Sequence, residues 1–252
     1  MNPSTTHPSR QRGFSLIELM VAMVLGLFIM ASLISLFIGN KQAYRAQEAA
    51  ARLQENARFA LEILNREARK AGYRAAFTTP TAAFPAVTGS FAAGQVISGT
   101  DASLSLRSQG SGVGSGDGWI RDCLGANVAE TATATVTLFV NGQSELACTS
   151  NNPTTGGGPQ TQPLLGGIQA MRFTYGVDTN NDSYADSYVA AGAVADWTRV
   201  ASVRIDLLLV TVDDGLVDAP VPYAWNGATV TPGDRRMRRV YSNVIGFRNF
   251  LP

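Results

Sequence analysis

Arg12-Gly13-Phe14-Ser15-Leu16-Ile17-Glu18-Leu19-Met20 opens a run of 25 residues, Phe14 to Ile38, whose single charge is Glu18. About 18 or more consecutive apolar residues suffice to cross a bilayer as a helix. At about 1.5 Å per residue this run reaches roughly 37 Å. Glu18 is the anomaly. It lies at the fifth position of the run, where an ionisable group is costly unless it snorkels to the headgroups or finds a partner. A lone carboxylate in a membrane segment is therefore a functional candidate.

Residues 1–13 carry Arg10 and Arg12 and no acid. A secretory signal is cut after its apolar region, at an A-x-A-like site. Here the only small residue at a junction, Gly13, precedes the apolar region, so cutting there keeps the helix in the product. Arg10 and Arg12 hold this end in the cytoplasm and send the rest of the chain across the inner membrane. A basic leader ending in Gly, followed by Phe14 and then Glu18, resembles a type IV prepilin with its type III signal. That resemblance implies a prepilin peptidase cutting between Gly13 and Phe14, and N-methylation of Phe14. Read from the residues alone, a plain signal anchor with an unrelated Glu is the alternative.

Composition narrows the function. Only 15% of residues are charged, and the body is rich in Ala, Thr, Ser, Val and Gly, which suits a secreted β-rich domain. Losing the leader takes the basic count from 20 to 18 against 19 acids, so no global field gathers nucleic acid. The one histidine, His7, is in the leader. The remainder has no imidazole for a Ser-His-Asp triad, a Cys-His pair or a His-based zinc site, and the chain reads as not an enzyme. Cys123 and Cys148 both follow the membrane segment. An even count in an oxidising compartment reads as a disulfide, worth about 3 kcal/mol in the chain-entropy model. A redox pair is the competing reading, without a Cys-x-x-Cys motif to support it.

Lys41 to Lys70 contains no Pro or Gly and consists mostly of strong helix formers. Leu53, Ala57, Ala60, Leu64 and Ala68 recur at three- and four-residue steps and form one apolar stripe. Gly72 is the expected C′ residue, with Gly26 and Gly39 the weak points of the long helix. The segment Leu53 to Leu64, closing with Arg69-Lys70-Ala71-Gly72-Tyr73, resembles the helix of PilW-like minor pilins. The type II secretion pseudopilin J shares a related version. The likeness covers residues 12–73, returns near 172–186 and is faint in Phe247-Arg248-Asn249.

Residues 108–118 and 149–163 are Gly-, Ser- and Thr-rich and read as flexible loops. Thr133–Val140, Ile168–Val177, Val200–Val212 and Arg239–Phe247 carry strand patterns, with Val203, Ile205, Leu207 and Leu209 on one face. The expected fold class is α+β: a long N-terminal helix, half transmembrane and half amphipathic, packed on a C-terminal antiparallel sheet domain, as in type IV pilins. The expected divisions are a leader at 1–13, a transmembrane and assembly helix at 14–40, an amphipathic half at 41–72 and a globular β-rich domain at 73–252.

Asp178, Asn180, Asp182 and Asp186 place side-chain oxygens at positions 1, 3, 5 and 9 of a loop, with the Tyr184 carbonyl at position 7. That spacing wraps Ca²⁺ in an EF-hand-type loop. Ser183 stands where such a loop prefers Gly, and Val189 where the closing Glu would be. An Asx-rich turn is the equal alternative. PilW-like proteins carry an acidic stretch after a Tyr-Gly-Val such as Tyr175-Gly176-Val177, so the resemblance favours calcium. The run Arg235-Arg236-Met237-Arg238-Arg239 reads as a guarded sheet edge rather than a DNA contact, since no aromatics interleave it.

The resemblance implies a minor pilin in pilus assembly and priming, in a tip complex with other minor pilins, beside the major pilin and a tip adhesin. Glu18 would meet the methylated Phe14 amine of a neighbouring subunit. A pseudopilin of type II secretion is the first alternative. A membrane-anchored, calcium-dependent surface binding module is the alternative of another class.

Overall fold

The computed structural model describes residues 13–74 and 79–249. The leader, with Arg10 and Arg12, lies outside the described residues apart from Gly13. Helix α1 runs unbroken from Leu16 to Lys70, through Gly26 and Gly39. The chain divides into two compact units, Met1–Gln47 and Glu48–Pro252. In the first, the described part of α1 is long and apolar enough to cross a membrane, and its large side chains stand exposed in the isolated chain.

The second unit begins with the charged half of α1. Leu53, Ala57, Ala60, Leu64 and Ala68 are all buried, as their spacing predicts. Three of the five are alanines, so other elements can approach the helix closely. Gly72 takes the left-handed conformation at φ 77° just past the helix. A Cβ there would stand 3.1 Å from the Asn249 carbonyl oxygen, and Asn249 Nδ2 donates to the Arg69 carbonyl at 2.7 Å. The segment Phe247-Arg248-Asn249 therefore caps the helix from the far end of the chain. Glu67 breaks the pattern, being only 2% exposed. Lys70 at 2.6 Å and Arg66 at 3.3 Å neutralise it, and Lys70 Nζ also donates to the Arg121 carbonyl. Removing a partner from a buried pair is costlier than never having built it.

A short helix, α2 (Pro80–Ala83), leads into a five-stranded antiparallel meander. Its strands are β1 (Ile97–Gly99), β2 (Ser103–Gln109), β3 (Thr133–Val140), β4 (Glu145–Asn151) and β5 (Gln160–Gly166). A four-stranded antiparallel sheet follows, built from β6 (Ile168–Val177), β7 (Ser187–Val189), β8 (Val200–Val210) and β11 (Arg238–Gly246), in the order β11-β8-β6-β7. Strands β9 (Tyr223–Trp225) and β10 (Ala228–Val230) make a separate hairpin. The expected sheet domain thus contains two main sheets. The α1 stripe shares one core with Leu104, Leu106, Val136, Leu138 and Leu146 of the first sheet and Phe173, Val203, Ile205, Leu207 and Leu209 of the second.

Strands β3 and β6 have the bounds their alternation predicts, while β8 stops two residues earlier than expected. The reading of 149–163 as loop is corrected. Strand β4 runs to Asn151, β5 starts at Gln160, and Thr149 and Thr161 join their hydroxyls across the pair at 2.7 Å. Strand β5 is an edge strand with mostly exposed residues and Pro163 within it. No apolar alternation marks such a strand, and an edge is where a sheet tolerates Pro.

Candidate functional site

The N-terminal segment is built by a helix start. Ser15 precedes α1, and its Oγ accepts the Glu18 backbone N–H at 3.2 Å. Ser15-Leu16-Ile17-Glu18 is thus a Ser-x-x-Glu capping sequence with its Ser half formed. The Ser-x-x-Glu spacing is present in the sequence, where the apolar run that follows masks it. An acid in the first turn also suits the positive end of the helix dipole. Among the described residues the Glu18 carboxylate has no hydrogen bond or ion pair, so it is free for a partner on another chain. Phe14 is exposed beside it, and Gly13 has open space around it.

Cys123 and Cys148 form a disulfide that ties the loop after β2 to β4. A residue that sequence reasoning missed anchors the same loop. Buried Asp122 accepts the backbone N–H groups of Leu124 and Ala126 on one oxygen. Its other oxygen accepts Ser150 Oγ and Asn152 Nδ2. Only the Ser/Asn/Asp enrichment near both cysteines could have hinted at it. The tract 108–118, expected to be a flexible loop, is pinned. Gly110 N–H donates to the Ala129 carbonyl, Ser111 N–H to the Val128 carbonyl and Ser111 Oγ to Asp117.

The five loop residues named for calcium follow β6. Asp178 accepts the N–H groups of Asn180 and Asn181 on one oxygen and that of Ser183 on the other. Burial raises its pKa, but the amide bonds from Ser183, Asn181 and Asn180 outweigh that and hold the carboxyl below its usual range. Asp186 is lowered chiefly by the hydroxyl and N–H of Thr179. Asn180 Nδ2 lies between Asp182 Oδ2 and Asp186 Oδ1, at 3.1 and 3.3 Å. Tyr184 is exposed, and Arg199 clamps the loop through Thr179 O and Asn181 Oδ1. Oxygen donors suit a hard cation. As they stand, though, they form an Asx-turn ladder, and no three acidic, His or Cys side chains are placed to hold a metal among the described residues.

The Tyr175-Gly176 pair before this loop has a physical reason. The buried Tyr175 hydroxyl lies within hydrogen-bond reach of two carbonyls, Thr100 at 2.9 Å and Ser103 at 3.1 Å, and so locks the β1–β2 turn to the second sheet. Trp197 meets the ring edge-on at 4.7 Å. Burial pushes the hydroxyl well above its ordinary pKa, with Asp101 adding to the shift. A Cβ on Gly176 would collide with Ser202 Oγ and stand 2.7 Å from Ala185 Cβ. Tyr175→Phe should therefore lower stability by about 0.5–1.5 kcal/mol, because the single O–H donor that the two carbonyls share is lost. Urea unfolding checks this, and an unchanged midpoint would refute the locking role.

The arginine run is divided by the fold. Arg238 is nearly buried, with both terminal guanidinium nitrogens on Asp234 at 2.6 and 2.8 Å and Nε on Gln169. That pairing brings the Asp234 carboxyl down to about 2. Arg239 pairs with core-facing Leu209 on the edge strand β11, a charge placed where it discourages another strand from pairing.

Residues 130–249 match the family model for type IV pilus-assembly protein W, and residues 8–34 match the prokaryotic N-terminal methylation motif. The first match reaches into the middle of the chain, which carried no resemblance of its own, and neither covers 35–129. No curated protein and no solved structure matches.

Proposed function

This chain belongs to the PilW-like type IV pilus minor pilins, anchored by an N-terminal apolar helix, and on that basis we propose that it primes pilus assembly in a complex with other minor pilins. The role is structural, and no step of chemistry falls to its residues. The observation that carries the reading is the pairing of a processable, methylation-type N-terminus with a PilW-like sheet domain. Before assembly the helix sits in the inner membrane with the second unit in the periplasm. In the fibre the helix joins a bundle of pilin helices beside the major pilin, with a tip adhesin above. Glu18 then meets the methylated amine of Phe14 on the next subunit. Such a pair sets register and alignment more than raw stability. Loss of the gene should remove surface pili while type II secretion continues, and the full-length chain should co-purify with the other minor pilins from detergent extracts. Intact piliation with failed secretion would assign it to a pseudopilus instead. Function surviving on an unrelated membrane anchor would make it a surface binding module.

For the loop 178–186 we propose calcium as ligand. Support comes from the alternating oxygens and from Ser183, whose φ of 73° reproduces the turn that calcium loops make with Gly. Asn180 Nδ2 also stands between two carboxylates, where a cation would bridge them. Calcium binding only the folded state stabilises it by RT ln(1 + [L]/Kd). The melting temperature of the purified chain should rise in millimolar calcium and fall with chelator, and Asp182→Ala should remove the response. Identical melting in both would leave the loop a plain turn.

A further inference from the structure

The chain contains two Asn-Gly pairs, Asn141-Gly142 and Asn226-Gly227, and their surroundings differ in a way that decides their chemistry. Asn141 is locked. Its Oδ1 accepts the N–H groups of Gln143 and Glu145, both at 3.0 Å, and its Nδ2 donates to Glu145 Oε2 at 2.8 Å. Asn226 has no side-chain hydrogen bond among the described residues and is exposed at the tip of the β9–β10 hairpin. Asn226 and Gly227 take φ values of 51° and 77°, the pattern of a two-residue type I′ turn. A Cβ on Gly227 would meet nothing within 4 Å, so the site is open. The strands on either side are three residues each and form a sheet of their own. A hairpin that short is marginal by itself and opens readily, which frees the backbone from the turn geometry.

We propose that Asn226 is a site of spontaneous deamidation and isoaspartate formation, and that the fold spares Asn141. The Gly227 backbone nitrogen gives its proton to water or hydroxide and bonds to Asn226 Cγ. The Cγ–Nδ2 bond breaks, and ammonia leaves with a proton from solvent. Water then opens the five-membered imide at either carbonyl, giving aspartate or isoaspartate. No redox partner is needed, and water is the only co-reactant. The product adds a negative charge, and in the isoaspartate case an extra backbone carbon, within three residues of Tyr223, whose ring faces the Arg238 guanidinium at 5.7 Å. The two Asp-Gly pairs are restrained in the manner of Asn141. Asp117 Oδ1 holds Ser111 and Trp119, and Asp214 Oδ1 holds the Gly215 and Arg235 N–H groups.

The test is peptide mass mapping of the purified full-length chain after storage in detergent at mildly alkaline pH. The Asn226 peptide should gain the mass of an amide-to-acid exchange severalfold faster than the Asn141 peptide, and the rate should rise with pH. The same chain unfolded in urea should convert both sites at comparable rates, which isolates the effect of the fold. Asn226→Gln should abolish conversion at the hairpin, because the longer side chain disfavours the five-membered ring. Equal conversion of Asn141 and Asn226 in the folded chain would overturn the proposal. So would a silent Asn226 in a chain whose unfolded form reacts.

Discussion

Glu18→Ala is expected to be cut after Gly13 like the parent and then to be lost from sheared pili, remaining in the membrane fraction. Removing one member of a buried charge pair costs about 3–5 kcal/mol. At about 1.4 kcal/mol per tenfold, that is a loss of roughly a hundredfold or more in incorporation. Immunoblots of pili and membranes, with mass spectrometry of the mature N-terminus, give the readout. The helix start offers a rival account: the Ser15 Oγ bond to the residue-18 N–H survives in the Ala variant, but Ala removes the side chain that completes the other half of a capping box. Glu18→Gln separates the two. Gln keeps the Ser-x-x-Glu/Gln cap and discards the charge, so it should fail as Ala does if the carboxylate meets a neighbouring amine. Wild-type incorporation of the Gln variant would reduce Glu18 to a helix start. Gly13→Val fails one step earlier and should leave an uncut precursor.

The parts of the fold legible in the sequence are those with a local period. The α1 stripe followed from three- and four-residue steps, and β3 and β6 followed from alternation, because one face of each lies in the core. Strand β5 was hidden since both its faces meet solvent, which erases the alternation. Asp122 was hidden for another reason. Its Ser150 and Asn152 partners lie 28 and 30 residues away, and no pattern in a short window links them. Glu67 carries no local sign of its burial, because its partner Lys70 is held by the Arg121 carbonyl, 51 residues further along the chain. At the N-terminus, Glu18 was legible as an anomaly of charge, whereas its backbone contact in the helix cap needed Ser15 to be read with it.

Gly110→Ala is expected to be the most damaging glycine substitution among the described residues of the second unit. A Cβ at this position would stand 1.8 Å from the Val128 carbonyl oxygen, 2.1 Å from its carbon and 2.6 Å from the Ala129 oxygen. All three are backbone atoms, so no rotamer relieves the clash. The same carbonyls accept the N–H groups of Ser111 and Gly110, and separating the strands of chain breaks those bonds as well. Overpacking costs about 1–3 kcal/mol and each lost bond about 0.5–1.5, so a total near 3 kcal/mol or more is expected. In a domain of this size that lowers Tm by roughly 6–12 °C. Two other glycines calibrate the reading. Gly114 has open space but a φ of 64°, so Ala there should cost about 1–2 kcal/mol through backbone strain alone. At Gly157 the nearest atom would be Gln160 Nε2 at 3.9 Å and φ is not positive, so Ala should stay within about 0.5 kcal/mol of the parent. If Gly110→Ala melts with Gly157→Ala, the 108–118 tract is the slack linker its composition suggests, and the hydrogen bonds that pin it to Val128 and Ala129 do not persist in solution.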